Sequence, residues 1–299
     1  MWKSRVIWIA TIALILGIIS AFYFASARLD DRQIRISANP WVGFTPLIYA
    51  QEKGWLEQTQ FKFLWQVDLS ENSRLYERGL AQGFTATQYE MLHFKDYSHI
   101  KPVFLIDRSA GADAILSNFT LEQLRQASQP INVYLELGSL NEDFFHAFVE
   151  ENKLDHLRFT FINSDQKVIA QIMPSDAPMV AISYAPYVSE LTRHGFINIA
   201  STKTLRSFFV IDALFVDERF LIGRQDEYRD LQNIFNRAKD QLHQDSREYY
   251  QVVRGYLEGQ SYEEFMATTQ QIAWVSPDNS APLIRQLKMQ NVPTNNLLP

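Results

Sequence analysis

The chain contains no cysteine among its 299 residues. That absence removes disulfides, thiolate metal sites, iron–sulfur clusters, cysteine nucleophiles and lipid attachment to a mature N-terminal cysteine. Glycine is scarce, at 11 residues, and no two glycines are separated by a single residue. Neither a dinucleotide fingerprint nor a Walker A loop can therefore be written. Positive charge is short as well: 28 Lys and Arg against 34 Asp and Glu leave a net charge of -6. A wide nucleic-acid-binding face needs clustered Lys and Arg, so that class is disfavoured. The six histidines form no HxH or HxxxH pair, and no zinc helix or hairpin is signalled. A G-x-S-x-G nucleophile elbow is also missing. The acidic pairs Asp30-Asp31, Glu142-Asp143, Glu150-Glu151 and Glu263-Glu264 read as solvated helix starts and faces. No catalytic constellation stands out, and binding becomes the default expectation.

What is present is a globular composition, 46% hydrophobic and 21% charged, long enough for one large domain or two ordinary ones. Lys3 and Arg5 precede 22 residues without a formal charge, Val6 to Ala27. The positive-inside bias places the N-terminus in the cytoplasm and the body across the membrane. Residues 1–27 read either as a signal peptide cleaved after Ala25-Ser26-Ala27 or as a retained transmembrane signal-anchor helix. Either way the body is expected in the periplasm or another extracytoplasmic space, free after cleavage or anchored in the inner membrane by residues 6–27.

The body alternates short apolar runs with helix-like segments. Ile34–Ile36, Phe61–Val67, Lys101–Ile106, Ile131–Leu135, Phe159–Ile162 and Met179–Ile182 have strand length and pattern. Thr45-Pro46 and Ser276-Pro277 read as a cap followed by Pro, and Thr87/Glu90, Ser139/Glu142 and Ser261/Glu264 as capping boxes. Such alternation predicts an α/β fold with mainly parallel sheets. The region from Asp217 to Leu257 turns helical. If two lobes exist, the chain crosses between them near Ile106–Leu116 and Ile199–Asp212.

Several strand-to-helix junctions combine small polar residues with aromatics. In open α/β sheets the crevice outside the carboxyl ends of the strands is where ligands bind, and helix starts offer free N–H groups there. The run Trp41-Val42-Gly43-Phe44-Thr45-Pro46-Leu47 with Ala50-Gln51-Glu52-Lys53-Gly54-Trp55-Leu56 resembles the opening motif of periplasmic substrate-binding proteins of the nitrate/sulfonate/taurine ABC-transporter type. That group includes the thiamine-pyrimidine-precursor binders (NMT1/THI5-like). The resemblance continues through Asp107-Arg108-Ser109-Ala110-Gly111-Ala112-Asp113, Asn132–Ser139, Ser183-Tyr184-Ala185-Pro186-Tyr187, Val210–Val216 and Ile272–Ser276. One departure is Gly83-Phe84-Thr85-Ala86, where family members often carry an acidic residue.

The resemblance implies a two-lobed, type II-like periplasmic binding fold with a cleft between the lobes, preceded by the N-terminal hydrophobic helix. Lobe 1 is expected over 32–112 plus about 205–299, and lobe 2 over 113–204. The implied function is capture of a small organic ligand (sulfonate, aminopyrimidine or amine-like) and delivery to an ABC permease and ATPase on separate chains. The alternative is a membrane-tethered sensor or accessory protein that regulates a membrane receptor. No cofactor or metal is expected. Enzymes that share this fold use cysteines, so the expectation is a non-enzyme. The candidate ligand residues are Trp41, Phe44, Ser70, Glu71, Thr85, Thr87, Ser109, Ser139, Asn141, Tyr184 and Asp212. Glu71, Glu90 and Glu142 already sit at helix starts, where they would repel a bare anion. Asp212 or Glu71 suits an amine, and a zwitterion would use both kinds of group.

Overall fold

The computed structural model describes residues 33–67 and 69–298. The apolar helix expected at residues 6–27 lies outside them, as does Asp68. Among the described residues no helix is long and apolar enough to cross a membrane.

Short apolar segments build two sheets. The first holds β1 (Ile34–Ala38), β2 (Phe61–Trp65), β3 (Gly83–Thr87), β4 (Ile100–Ser109), β10 (Ile211–Asp217) and β11 (Ile272–Trp274). Its order is β11-β4-β10-β3-β1-β2. The second holds β5 (Asp113–Ser117), β6 (Ile131–Leu135), β7 (Phe159–Asn163), β8 (Met179–Tyr184) and β9 (Ile197–Ser201), in the order β7-β6-β8-β5-β9. Both sheets are mixed, which corrects the mainly parallel expectation. Strands joined by βαβ crossovers are parallel: β1 with β2 and β3, and β6 with β7 and β8. Strands that carry the chain between sheets run against them: β10 against β3 and β4, and β5 against β8 and β9. A crossover helix enforces parallel pairing, and a strand arriving from the other sheet has no such helix.

The helices are α1 (Thr45–Glu52), α2 (Leu69–Glu77), α3 (Gln88–His93), α4 (Leu121–Arg125), α5 (Leu140–Asn152) and α6 (Gln166–Ala170), followed by α7 (Val188–Arg193), α8 (Gln225–Gln244), α9 (Ser246–Val253), α10 (Tyr262–Thr269) and α11 (Pro277–Met289). On α8 the buried residues Tyr228, Leu231, Phe235, Ala238 and Leu242 recur at helical spacing. They pack on the first sheet, with Tyr228 against Phe61 and Phe235 against Phe104 and Trp274. On α5, Phe145 meets Phe159 and Phe161 of the second sheet edge-on. Each such fully buried side chain stabilises by roughly 1.5–3 kcal/mol.

Two expected caps differ. Thr45 is not the N-cap of α1: a preceding 3-10 turn, Val42–Phe44, makes Phe44 the cap residue, and the Thr45 hydroxyl donates back to Val42 O at 2.7 Å. The Ser139/Glu142 box does not close. Ser139 accepts from Asn141 N, while the Glu142 carboxylate reaches back to Gly138 N. The Thr87/Glu90 and Ser261/Glu264 boxes form.

The chain leaves the first sheet at Ser109, enters the second at Asp113, and returns between Ser201 and Ile211. The two crossings are tied together. Ser109 Oγ lies 2.7 Å from Thr202 Oγ1, which also accepts Gly111 N–H at 2.9 Å. Gly111 has φ +128°, a conformation that residues with a Cβ rarely adopt. In the return crossing, Phe208 stacks on Tyr89 of α3 at 4.6 Å and on Phe144 of α5 at 5.1 Å. One ring thus bridges helices from both halves beside the crossings.

Candidate functional site

Acidic residues stand at the strand ends where the two sheets meet. Asp107 of β4 pairs with Asp212 of β10 in the ladder, and their carboxyl groups are hydrogen-bonded. Asp212 pairs in turn with Thr87 of β3. Trp41 Nε1 donates to Asp107 Oδ2 at 3.3 Å. Gly43 allows this close approach, because a Cβ there would lie 1.7 Å from the same oxygen. Across the crossing, Asp113 begins β5 opposite Tyr184 of β8. The Tyr184 ring meets Trp41 edge-on at 5.9 Å. Tyr184 Oη also donates toward Glu136, just beyond β6, at 3.4 Å.

Asp107, Asp113 and Asp212 are all buried. Among the described residues none of them forms an ion pair with Lys, Arg or His. Burial is the main reason the Asp113 carboxyl is pushed up to about 7. It also raises the Asp107–Asp212 pair far above the usual carboxylate range, with mutual repulsion adding to the rise. A protonated carboxyl donates one hydrogen bond, which explains how two acids share one contact. Asp113 Oδ2, Thr85 Oγ1 and Asn39 Nδ2 have no hydrogen-bond partner among the described residues, and Asp107 Oδ1 and Asp212 Oδ2 have none beyond the contact the two carboxyls share. A buried polar atom left unpaired costs about 1–3 kcal/mol.

Glu90 occupies the next turn. It is buried, and its carboxylate accepts Thr87 N–H at 3.0 Å, the Thr87 hydroxyl and, from the other half, Leu140 N–H at 2.6 Å. Desolvation raises its pKa against these lowering bonds. Other bonds span the halves. His93 Nε2 meets Asp143 at 2.8 Å, and this bond raises the imidazole pKa to about 9. Tyr187 Oη donates to Val67 O at 3.0 Å, and Lys167 pairs with Glu258 at 3.1 Å.

Two connected hollows open between the halves. One of about 630 Å³ is lined by Ser70, Glu71, Arg74, Glu136, Asp165 and Lys167, among others. The other, about 260 Å³, is lined by Ser70, Arg74, Glu90, His93 and Gly138, among others. A third hollow, about 440 Å³, is lined by Phe104, Phe235 and Leu298, among others, and by none of Asp107, Asp113 and Asp212.

The candidate residues therefore separate into groups. Trp41, Thr85, Thr87, Tyr184 and Asp212 gather around the acids. Ser70 and Glu71 line the open hollow. Ser139 caps α5, with its hydroxyl donating to Glu136 O at 2.9 Å. Asn141 Oδ1 accepts from Gln166 Nε2 at 2.9 Å. Ser109 ties the crossings, and Phe44 is core. Asp107, Asp113, Glu90, Glu136 and His93 join the site without having been singled out as ligand residues. The available signal was an acid directly ending an apolar strand, as in Ile106-Asp107 and Leu135-Glu136. Among the described residues no group of three or more His, Cys, Asp or Glu is arranged to hold a metal ion.

No protein-family model matches the sequence, and no curated protein matches it. Solved structures do resemble it. The zinc-bound ligand-binding component of an ABC-type import system from Staphylococcus aureus superposes with TM-score 0.66 at 11% identity, covering 90% of this chain and 96% of that one. The alkanesulfonate-binding protein SsuA from Xanthomonas axonopodis pv. citri, bound to MOPS, gives 0.61 at 11% identity, covering 89% and 98%. The desulfurization enzyme DSZB gives 0.61 at 12% identity, covering 88% and 95%. At such identities the likeness is one of architecture: the chain has the α/β fold of periplasmic binding proteins, a fold that also carries an enzyme.

Proposed function

We propose that the chain is an extracytoplasmic solute-binding protein. It captures a small organic ligand of the sulfonate, aminopyrimidine or amine-like kind between two lobes, 32–112 plus about 205–299 and 113–204. It then delivers the ligand to an ABC permease and ATPase on separate chains. The observation that carries this reading is the pair of hollows lined by residues from both halves of the chain. That is the crevice in which open α/β sheets bind ligands. The likeness to an import component and to an alkanesulfonate-binding protein agrees with it. A non-enzymatic role is part of the proposal, since the chain lacks cysteine. The test is a melting screen with sulfonates, aminopyrimidines, amines and oxyanions. A binder raises the melting temperature as its concentration exceeds its dissociation constant. No shift with any compound would refute the reading.

A second reading, a membrane-tethered sensor acting on a receptor, is favoured by the uncharged stretch at Val6–Ala27. The mature N-terminal mass separates the two. A chain beginning at Arg28 supports the diffusible carrier, and a chain retaining residues 1–27 supports the tether.

A further inference from the structure

We infer that the cleft takes an organic cation bearing N–H donors, an ammonium or amidinium group, and excludes sulfonates and other oxyanions. This rests on the solute-binding reading and specifies the charge of the solute.

Asp113 Oδ2 is buried without a donor, and the buried Asp107 and Asp212 carboxyls have only each other and the Trp41 N–H to satisfy their oxygens. An independent acceptor points the same way. Thr85 Oγ1 is buried and without a partner. Thr85 lies two residues before Thr87 on β3, hence on the same sheet face, and Thr87 is in register with Asp212. An N–H-bearing cation supplies the missing donors and the missing positive charge together. The Trp41 and Tyr184 rings adjoin the acids, and aromatic faces attract cations.

An oxyanion finds the opposite situation. The N–H groups that begin a helix are its usual partners, and at α5 the chain's own groups already hold them. Gly138 N–H goes to Glu142, Leu140 N–H to Glu90 and Asn141 N–H to Ser139. At α3, Thr87 N–H goes to Glu90 and Tyr89 N–H to Thr87. The bases of the hollows are also engaged: Arg74 with Glu71 at 3.5 Å and Lys167 with Glu258 at 3.1 Å. Glu90, which lines the smaller hollow, is electrostatically coupled to Asp113 and Asp212. In that hollow the positive groups Arg74 and His93 are each engaged with a carboxylate, Glu71 and Asp143.

The test titrates the full chain, purified in detergent, by intrinsic-fluorescence melting and calorimetry. The probes are putrescine, agmatine and benzamidine against ethanesulfonate, nitrate and sulfate, at matched ionic strength, with calcium and zinc chlorides as a further arm. The inference expects a saturable shift with at least one amine or amidine, and none with the anions. Asp107→Asn and Asp212→Asn, which keep shape and relieve repulsion, should still melt cooperatively while that affinity falls tenfold or more. A shift with an anion alone overturns the inference and leaves the solute-binding reading standing. A shift with a metal ion alone also overturns it. Silence from every probe overturns both. Full amine affinity in folded Asp107→Asn and Asp212→Asn variants overturns the placement.

Discussion

The Glu90 carboxylate on α3 accepts the backbone N–H of Leu140, the first residue of α5, at 2.6 Å. Those helices follow strands of different sheets, so this hydrogen bond is one of several that join the two halves. The same carboxylate closes the cap of its own helix through Thr87. One buried acid therefore holds both the cap of its own helix and a contact with a helix that follows the other sheet.

Substituting Glu90→Gln keeps the shape but turns one oxygen into an NH2 group. That group must face either Leu140 N–H or the Thr87 donors. We predict a loss of about 1–3 kcal/mol, the cost of a buried donor without an acceptor. Hydrogen exchange at the Leu140 amide should accelerate in the same variant. Unchanged protection of that amide would show that the bond does not hold the halves together.

Stability should fall as pH rises. A carboxyl whose pKa is higher in the folded chain holds its proton more tightly there than when unfolded. Its contribution is full below the unfolded value, about 4, and declines as pH rises through the folded value, about 7 for Asp113. The facing groups are Asp107, Asp212 and Glu90 from one half and Asp113 from the other, with no base among them. The slope is at most about 1.4 kcal/mol per pH unit for each proton. Melting temperatures between pH 5 and pH 8.5 should decline for the wild type and decline less for Asp212→Asn. Parallel curves would remove these acids from the explanation.

His93 works in the reverse sense. Its imidazole is raised to about 9, chiefly by the bond to Asp143. Its contribution is full below the unfolded value near 6.5 and is lost as pH rises through 9. The pair is about one-third exposed, so solvent screening keeps it below about 1 kcal/mol. His93→Ala should lower the melting temperature slightly at pH 6 and leave it unchanged at pH 10. An equal loss at both pH values would assign the effect to packing.

Trp41 donates to Asp107 and meets the Tyr184 ring edge-on. Trp41→Ala should weaken binding of any solute identified in the melting screen by tenfold or more, on the scale of about 1–3 kcal/mol for a buried aromatic. Calorimetry on the folded variant measures it. Trp41→Phe keeps the ring and loses the donor, which separates the two contributions. Unaltered affinity in both variants would place the solute elsewhere.

Much of the architecture was legible in the residues. Runs such as Ile131–Leu135 and Met179–Ile182 are too short and too apolar for surface helices, and they became strands. Strand direction was not legible, because it depends on where β4 and β10 enter their partners' ladders rather than on their own sequences. The Glu90 capping box was readable from Thr87-Gln88-Tyr89-Glu90. Its second role was not, because Leu140 lies 50 residues away. Trp41, Tyr184 and Asp212 were readable as junction residues. Asp107 and Asp113 were visible only as parts of a motif, since their significance is a lack of partners, and partners are set by the fold.

Capture of a solute between two halves is the central claim, and the absence of cysteine makes it directly measurable. Spin labels on cysteines introduced at Gln58 and Asp155, both exposed and on different halves, report the distance between them by pulsed electron resonance. The account predicts that Glu90→Gln together with His93→Ala lengthens or broadens that distance distribution, and that a solute from the melting screen narrows it again. One sharp distance, identical in every variant and with every solute, would mean that the halves form a single rigid body and would contradict the account.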